Sequence, residues 1–253
     1  MEQQATFQDT DWNRYAVCYD ALLALRPYRA LCATIARVAG DINNHRVIDI
    51  GSGTGNILAA LFSAGGRDLV GVEVSPSMML RAKQKLAHTS VQMVSADANQ
   101  PFPFRSDTFD VLTSVNMLYA VSDPLFTLKE MYRVLKVGGR LVLVTPKKGY
   151  DNGLVLKAHC QSLKPDTYWS DPHSCPEREG RLLREALEDE EVITQMLTVA
   201  AYNRAIITTN RFHFFTEASL VEHVKMAGFC VVMQQSTYAG QGILVTARKE
   251  EVR

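Results

Sequence analysis

Residues 46–56 read Arg46-Val47-Ile48-Asp49-Ile50-Gly51-Ser52-Gly53-Thr54-Gly55-Asn56. The short Val/Ile run predicts a strand buried on both faces, as in a parallel sheet. Three glycines at alternate positions follow, and beyond them Ile57, Leu58, Leu61 and Phe62 recur at helical spacing. The order is therefore strand, glycine turn, helix. In an open α/β sheet such a turn lies outside the carboxyl end of its strand, where ligands bind. A glycine there lets backbone approach a ligand because no Cβ intervenes.

The next apolar run is Asp68-Leu69-Val70-Gly71-Val72-Glu73-Val74, and Glu73 closes it. An acidic side chain about 20 residues past the glycines suits the two hydroxyls of a ribose. Two cofactor classes share that spacing. A nicotinamide-dependent oxidoreductase is the less favoured of them: its G-x-G-x-x-G pattern would place a glycine where Asn56 stands. Here the pattern is G-x-G-x-G behind an acidic residue, Asp49.

That pattern resembles the first motif of the class I S-adenosylmethionine-dependent methyltransferases. Further stretches carry the resemblance: Glu73 after the second strand, Ser95-Ala96-Asp97-Ala98 after the third, Phe109 to Asn116 as the fourth, and Leu135 to Leu143 as the turn into the fifth. It covers residues 45–148 closely and 212–249 in pattern. It is most similar to the small-molecule branch that includes the menaquinone and ubiquinone C-methyltransferases. The resemblance implies a doubly wound, Rossmann-like α/β fold. Its seven-stranded, mostly parallel sheet would end in an antiparallel hairpin.

The resemblance also implies a cofactor, S-adenosyl-L-methionine, and the residues that meet it. Gly51, Ser52, Gly53, Gly55 and Asn56 form the cradle. Asp49 accepts from the ammonium, directly or through water, and Glu73 accepts from the ribose hydroxyls. Asp97 accepts from the adenine amino group, and Ala98 supplies a backbone donor to the ring. Met78 and Met79 would line the adenine, and Val74, next to Glu73, is counted among the cofactor contacts. Asn116 faces the methionine end, and Tyr19 touches that end from an N-terminal cover. Packing alone is the competing reading for Tyr15, Tyr19, Met78 and Met79.

Composition bounds the rest. Of 253 residues, 47% are hydrophobic and 21% charged, and 27 Lys plus Arg balance 27 Asp plus Glu. A zero net charge gives no global field for nucleic acid or anionic lipid. An Asn-Pro-Pro-Tyr-type tetrapeptide is absent after strand four, where Asn116-Met117-Leu118-Tyr119 stands. The expected partner is thus a small-molecule methyl acceptor, not nucleic acid or a membrane. No apolar run approaches the roughly 20 residues of a membrane helix, and Glu2 and Asp9 argue against a signal peptide. Cys18, Cys32, Cys160, Cys175 and Cys230 are odd in number without C-x-x-C spacing, which fits free thiols in a reducing cytoplasm.

The chain is expected to form one methyltransferase domain, residues 1–253. Residues 1–44 are the N-terminal cover, with one helix over 11–25 and a second starting at Pro27. Residues 45–146 are the cofactor-binding core. Residues 147–211 are an insert, irregular over 147–176 and helical over 177–206. Residues 212–253 complete the sheet. An insert of this length after strand five is expected to serve function: a lid that carries Tyr168, Trp169, Met196, Leu197 and Tyr202 to the acceptor. Its amphipathic helices suit a homodimer surface equally well.

Methyl transfer is an in-line displacement whose rate comes largely from alignment and exclusion of water. A base, where the acceptor needs one, would come from His159, His173, His213 or Tyr168, and the sequence singles out no catalytic residue among them. No cluster has metal-ligand spacing. A non-catalytic S-adenosylmethionine-binding protein is the alternative that intact cofactor residues leave open.

Overall fold

The computed structural model describes residues 11–164, 176–209 and 211–251. Tyr168, Trp169, His173 and Cys175, named above, lie outside these residues. Among the described residues the strands are β1 (Arg46–Ile50), β2 (Asp68–Glu73), β3 (Gln92–Ser95), β4 (Phe109–Val115), β5 (Leu135–Pro146), β6 (Cys230–Thr237) and β7 (Gly242–Arg248). They form one seven-stranded sheet in the order β3-β2-β1-β4-β5-β7-β6. β7 runs antiparallel to both β5 and β6, and the other pairings are parallel. This is the expected doubly wound sheet with its closing hairpin.

Alternation along each strand divides the core. Val47, Leu69, Val111, Val142 and Leu244 face one cluster; Ile48, Val70, Leu112, Leu141 and Val245 face the other. Every one of these side chains is buried, which explains why the strands read as continuous apolar runs. The first cluster is covered by α2 (Arg26–Ala39), α3 (Asn56–Ser63) and α4 (Pro76–Lys85). It is extended by the insert helices α6 (Asn152–Leu163), α7 (Pro176–Ala186) and α8 (Glu190–Thr208). The second is covered by α5 (Pro124–Val134) and α9 (Glu217–Met226).

Local chemistry sets the helix starts. Ser75 caps α4 by accepting from Met78 N, with Pro76 at the first turn. Asp123 caps α5 ahead of Pro124, and Thr216 with Ser219 makes a capping box on α9.

Three segments differ from expectation. The single helix over 11–25 is α1 (Asp11–Tyr15) followed by a 3-10 turn, Tyr19–Ala24. Short helices do not hold themselves, and tertiary contacts decide here: the Tyr15 ring stacks on Tyr202 at 4.9 Å and its hydroxyl donates to Asn203. The polar start of the insert is helical as α6: Asp151 accepts from Gly153 N as cap, and Val155, Leu156, His159 and Cys160 are its buried face. The turn formers Asn152 and Gly153 mark its first turn, not a loop. Strand five, which Gly138-Gly139 predict to begin at Arg140, pairs already from Leu135, with a bulge between the Phe109 and Val111 registers. Lys249 holds that bulge, its Nζ donating to the Tyr132 and Leu135 carbonyls at the end of α5. Among the described residues no helix is long and apolar enough to cross a membrane.

Candidate functional site

β1 lies mid-sheet: the chain runs outward from it through β2 to β3, then crosses back to its other side as β4. Such a switch point opens a crevice at the carboxyl ends of the strands. A cleft of about 800 Å³ occupies it, toward the upper end of the roughly 300–1,000 Å³ usual for ligand sites. Tyr19, Gly51, Gly53, Glu73, Val74, Met78, Asp97, Ala98 and Asn116 all line it. Asp49, Ser52, Gly55 and Asn56 stand outside its wall.

The glycine turn shows a division of labour. Gly53 has φ +53°, and a Cβ built on it meets nothing within 4 Å. Its surface is therefore open to a ligand. Gly51, at φ +73°, and Gly55, at φ +80°, face protein instead: a Cβ would strike Met117 Cγ on the first and Leu86 Cδ1 on the second. These two glycines let the turn close against its neighbours, and Gly53 leaves the cleft clear.

Glu73 binds the turn directly. Its Oε2 accepts from Gly53 N at 2.9 Å, and its Oε1 accepts from Val74 N at 2.9 Å and Ser75 N at 2.8 Å. Burial raises its pKa, and those three backbone donors pull the other way. Oε1 thus has both its lone pairs engaged, and one acceptor site remains, on Oε2. Asp97 Oδ1 accepts from Asn99 N and Nδ2, and Asn99 Oδ1 in turn accepts from Ser122 N and Oγ. The loops after β3 and β4 are thereby joined along the cleft edge. Asn116 adopts φ +55° as β4 ends, a conformation that Asn tolerates better than most residues.

Behind the turn, Asp49 is 1% exposed. Burial pushes its pKa up to about 7, a hydrogen bond from Thr113 Oγ1 at 2.7 Å lowers it, and the Glu73 charge adds to the rise. Asn56 donates to Tyr28 Oη and accepts from Lys85 Nζ. Lys85 also donates to Asp20 Oδ1 at 2.8 Å, an atom that accepts from Thr54 Oγ1 at 2.6 Å as well. The Tyr19-Asp20 pair is thus split: Tyr19 faces the cleft and Asp20 latches the N-terminal segment to the glycine turn.

Much of the remaining cleft wall is aromatic. Trp12, Tyr15, Tyr119, Tyr150, Phe214 and Tyr238 line it, with Asn203, Ile206 and Ile207 of α8. Burial raises the pKa of Tyr15, Tyr119, Tyr150 and Tyr238, and that of Tyr19 to about 12. These phenols therefore stay protonated at neutral pH. Of the bases considered above, His213 lines the cleft, near Tyr119 through its backbone N–H to the Tyr119 carbonyl at 2.8 Å. His159 is buried in α6, accepts from Arg26 N and lies away from the cleft. Met79 packs in the core, not on the cleft. Sequence reasoning passed over Trp12, Tyr119, Tyr150, Asn203 and Tyr238; for Tyr119 and Tyr150 the available signal was an aromatic just past a strand's carboxyl end.

Residues 48–143 match a sequence family described as a methyltransferase domain. A demethylmenaquinone methyltransferase of Clavibacter sepedonicus is 38% identical over 143 residues, covering 53% of this chain and 55% of that protein. The chain thus spans about half the length of the curated relatives it matches. Among solved structures, an S-adenosylmethionine-dependent methyltransferase from Aquifex aeolicus aligns with TM-score 0.58 at 17% identity, covering 96% of this chain and all of that one (100%). Geranyl diphosphate C-methyltransferase from Streptomyces coelicolor, in complex with S-adenosyl-L-homocysteine, aligns with TM-score 0.58 at 13% identity, covering 88% and 77%. At these identities the structural likeness speaks for the fold.

Proposed function

We propose that this chain, whose residues 48–143 belong to the methyltransferase domain family, transfers a methyl group from S-adenosylmethionine to a small aromatic acceptor of quinol type. The observation that carries the reading is one cleft with two unlike kinds of lining. The open Gly53 backbone, Glu73 and Asp97 supply the first, and a set of aromatic rings supplies the second. A nucleoside with a charged tail matches the first lining and a flat apolar molecule the second. The named relative acts on a demethylmenaquinone by its title, which supports the acceptor class.

The cofactor, when bound, supplies an electrophilic methyl group whose sulfur departs as a neutral thioether. Glu73 would accept from a ribose hydroxyl at the open site of Oε2, a charge-assisted hydrogen bond that is stronger than a neutral one. Asp97 and Ala98 would hold the adenine beside Val74 and Met78. Asn116, Asp49 and Tyr19 would position the methionine end. The N-terminal segment and the insert would exclude water and align the acceptor. Its free, buried cysteines, Cys18, Cys32 and Cys160, suit a reducing cytoplasm.

The test is calorimetry with S-adenosylhomocysteine and with NAD(H), followed by methyl transfer to 1,4-naphthalenediol from labelled S-adenosylmethionine. Micromolar binding of the first, none of the second, and labelled product are expected. NAD(H) binding alone would favour an oxidoreductase. Cofactor binding without transfer to any phenol or quinol would favour a non-catalytic binding protein.

A further inference from the structure

We propose that hydrogen bonds anchored on Glu179 commit the Tyr15 proton inward, so that the cleft selects an acceptor bearing a hydroxyl at this point over the same molecule bearing a carbonyl; the proposal rests on the methyltransferase reading of the cleft.

Glu179 on α7 is 0% exposed and ion-paired with Arg204 on α8. A carboxylate accepts hydrogen bonds and donates none. Asn152, 2% exposed, lies 3.2 Å from Glu179 Oε1 and must therefore present its Nδ2. Its Oδ1 then points the other way, where it accepts from Asn203 Nδ2 at 3.1 Å and Tyr150 Oη at 3.2 Å. Asn203, with its nitrogen turned toward Asn152, offers Oδ1 to Tyr15, whose hydroxyl donates at 2.9 Å. Amide orientation is ordinarily an inference from partners. Here the buried ion dictates it along the whole chain, two amides and a phenol in succession.

Tyr15 and Asn203 line the cleft. Tyr15 has one proton, and it is spent on Asn203. What these two residues have left for a ligand is the lone pairs of Tyr15 Oη and the second N–H of Asn203. A hydroxyl answers both, donating to Tyr15 and accepting from Asn203. A carbonyl oxygen answers the amide alone and sets its lone pairs against those of Tyr15. The surrounding wall is aromatic, so the mismatch is poorly relieved by water. Tyr15, Asn152, Glu179 and Asn203 all fall outside residues 48–143, so the selection belongs to the segments that surround the matched domain.

The experiment compares 1-tetralol with 1-tetralone, one carbon skeleton with either oxygen, by calorimetry on protein saturated with S-adenosylhomocysteine. Wild type should bind the alcohol on the order of tenfold more tightly, the scale of one hydrogen bond won or lost. Asn203→Leu releases the Tyr15 proton. The ketone should then bind more tightly than it does to wild type, and the preference should fall to about twofold or less. A gain for one probe is not what general damage to the fold produces. If Asn203→Leu does not fold, Asn203→Ala is read in the same way. Wild type that binds S-adenosylhomocysteine yet holds both probes equally, prefers the ketone or binds neither overturns the selection and leaves the proposed function standing. Wild type that does not bind S-adenosylhomocysteine overturns both.

Discussion

Glu73 and Gly53 are 20 residues apart in sequence and joined by a 2.9 Å hydrogen bond, carboxylate to backbone N–H. The acid proposed to hold a ribose also holds the turn that would cradle it. Glu73→Ala should therefore weaken S-adenosylhomocysteine binding by roughly 1.5–3 kcal/mol, the scale of a hydrogen bond to a charged group. It should also speed hydrogen exchange at Gly53, Val74 and Ser75, whose N–H groups the carboxylate caps. Calorimetry and exchange on the same sample check both. A folded variant with unchanged affinity would remove Glu73 from the site.

The glycines separate binding from folding. Gly53→Ala and Gly55→Ala each force a side chain into left-handed backbone, a cost of about 1–2 kcal/mol. At Gly53 nothing lies within 4 Å of the new Cβ, whereas at Gly55 it would stand 2.9 Å from Leu86 Cδ1 and 3.2 Å from Ala82 Cβ. Gly55→Ala should lose about 1–3 kcal/mol more in urea unfolding, the cost of overpacking. Gly53→Ala should lose more than tenfold in S-adenosylhomocysteine affinity, and the bulkier Gly53→Val more again. A Gly53→Ala variant that binds like wild type would mean the turn is not the cradle.

The sheet and the acidic lining of the cleft were legible because local patterns specify them. Val47-Ile48 and Leu69-Val70 are buried on both faces by strand alternation, and Gly53 and Glu73 sit where one strand must end. The aromatic lining was not legible. Tyr15, Asn203 and Tyr238 come from three distant segments, and their meeting depends on how α8 lies against the N-terminal turn. Nothing in the spacing of Asn152 and Glu179 announces a buried polar chain, because each is an ordinary surface residue by composition. The break after α1 escaped for the same reason: Tyr15 and Tyr19 fit one helical stripe, and contacts with Tyr202 and Tyr28 redirect them.

The Asp49 carboxyl should make stability depend on pH. With its pKa raised from 3.8 to about 7, the folded chain holds a proton between about pH 4 and 7 that the unfolded chain has released. Stability of the ligand-free protein should then fall as pH rises through that window, by at most about 1.4 kcal/mol per unit from this group, and level off above it. Glu73, also raised by burial, adds a slope of the same sign. Asp49→Asn should flatten the profile and leave the ligand-free protein more stable than wild type at pH 8. It should also weaken S-adenosylhomocysteine binding if the carboxylate serves the ammonium. Urea unfolding from pH 4.5 to 8 checks the slope, and an unchanged profile in Asp49→Asn would show that this group does not set it.

Whether the insert closes over the ligand can be read from exchange. α8 contributes Asn203, Ile206 and Ile207 to the cleft, and the insert is tied to the N-terminal segment at both ends. Tyr15 reaches Asn203, while Arg26 donates to His159 Nδ1 at 3.3 Å and to the Ser162 carbonyl at 2.7 Å. The two segments should thus respond as a unit, and Asp20 is where that unit grips Thr54 in the glycine turn. S-adenosylhomocysteine should raise hydrogen-exchange protection across 11–24, 147–164 and 176–208 together, equally at low and high protein concentration. Asp20→Ala should weaken the ligand by about 0.5–1.5 kcal/mol, the net worth of a typical hydrogen bond, and reduce the ligand-induced protection of 11–24. A surface built for dimerisation would behave otherwise: protection would climb with protein concentration and ignore the ligand. That outcome would reassign the insert from lid to interface.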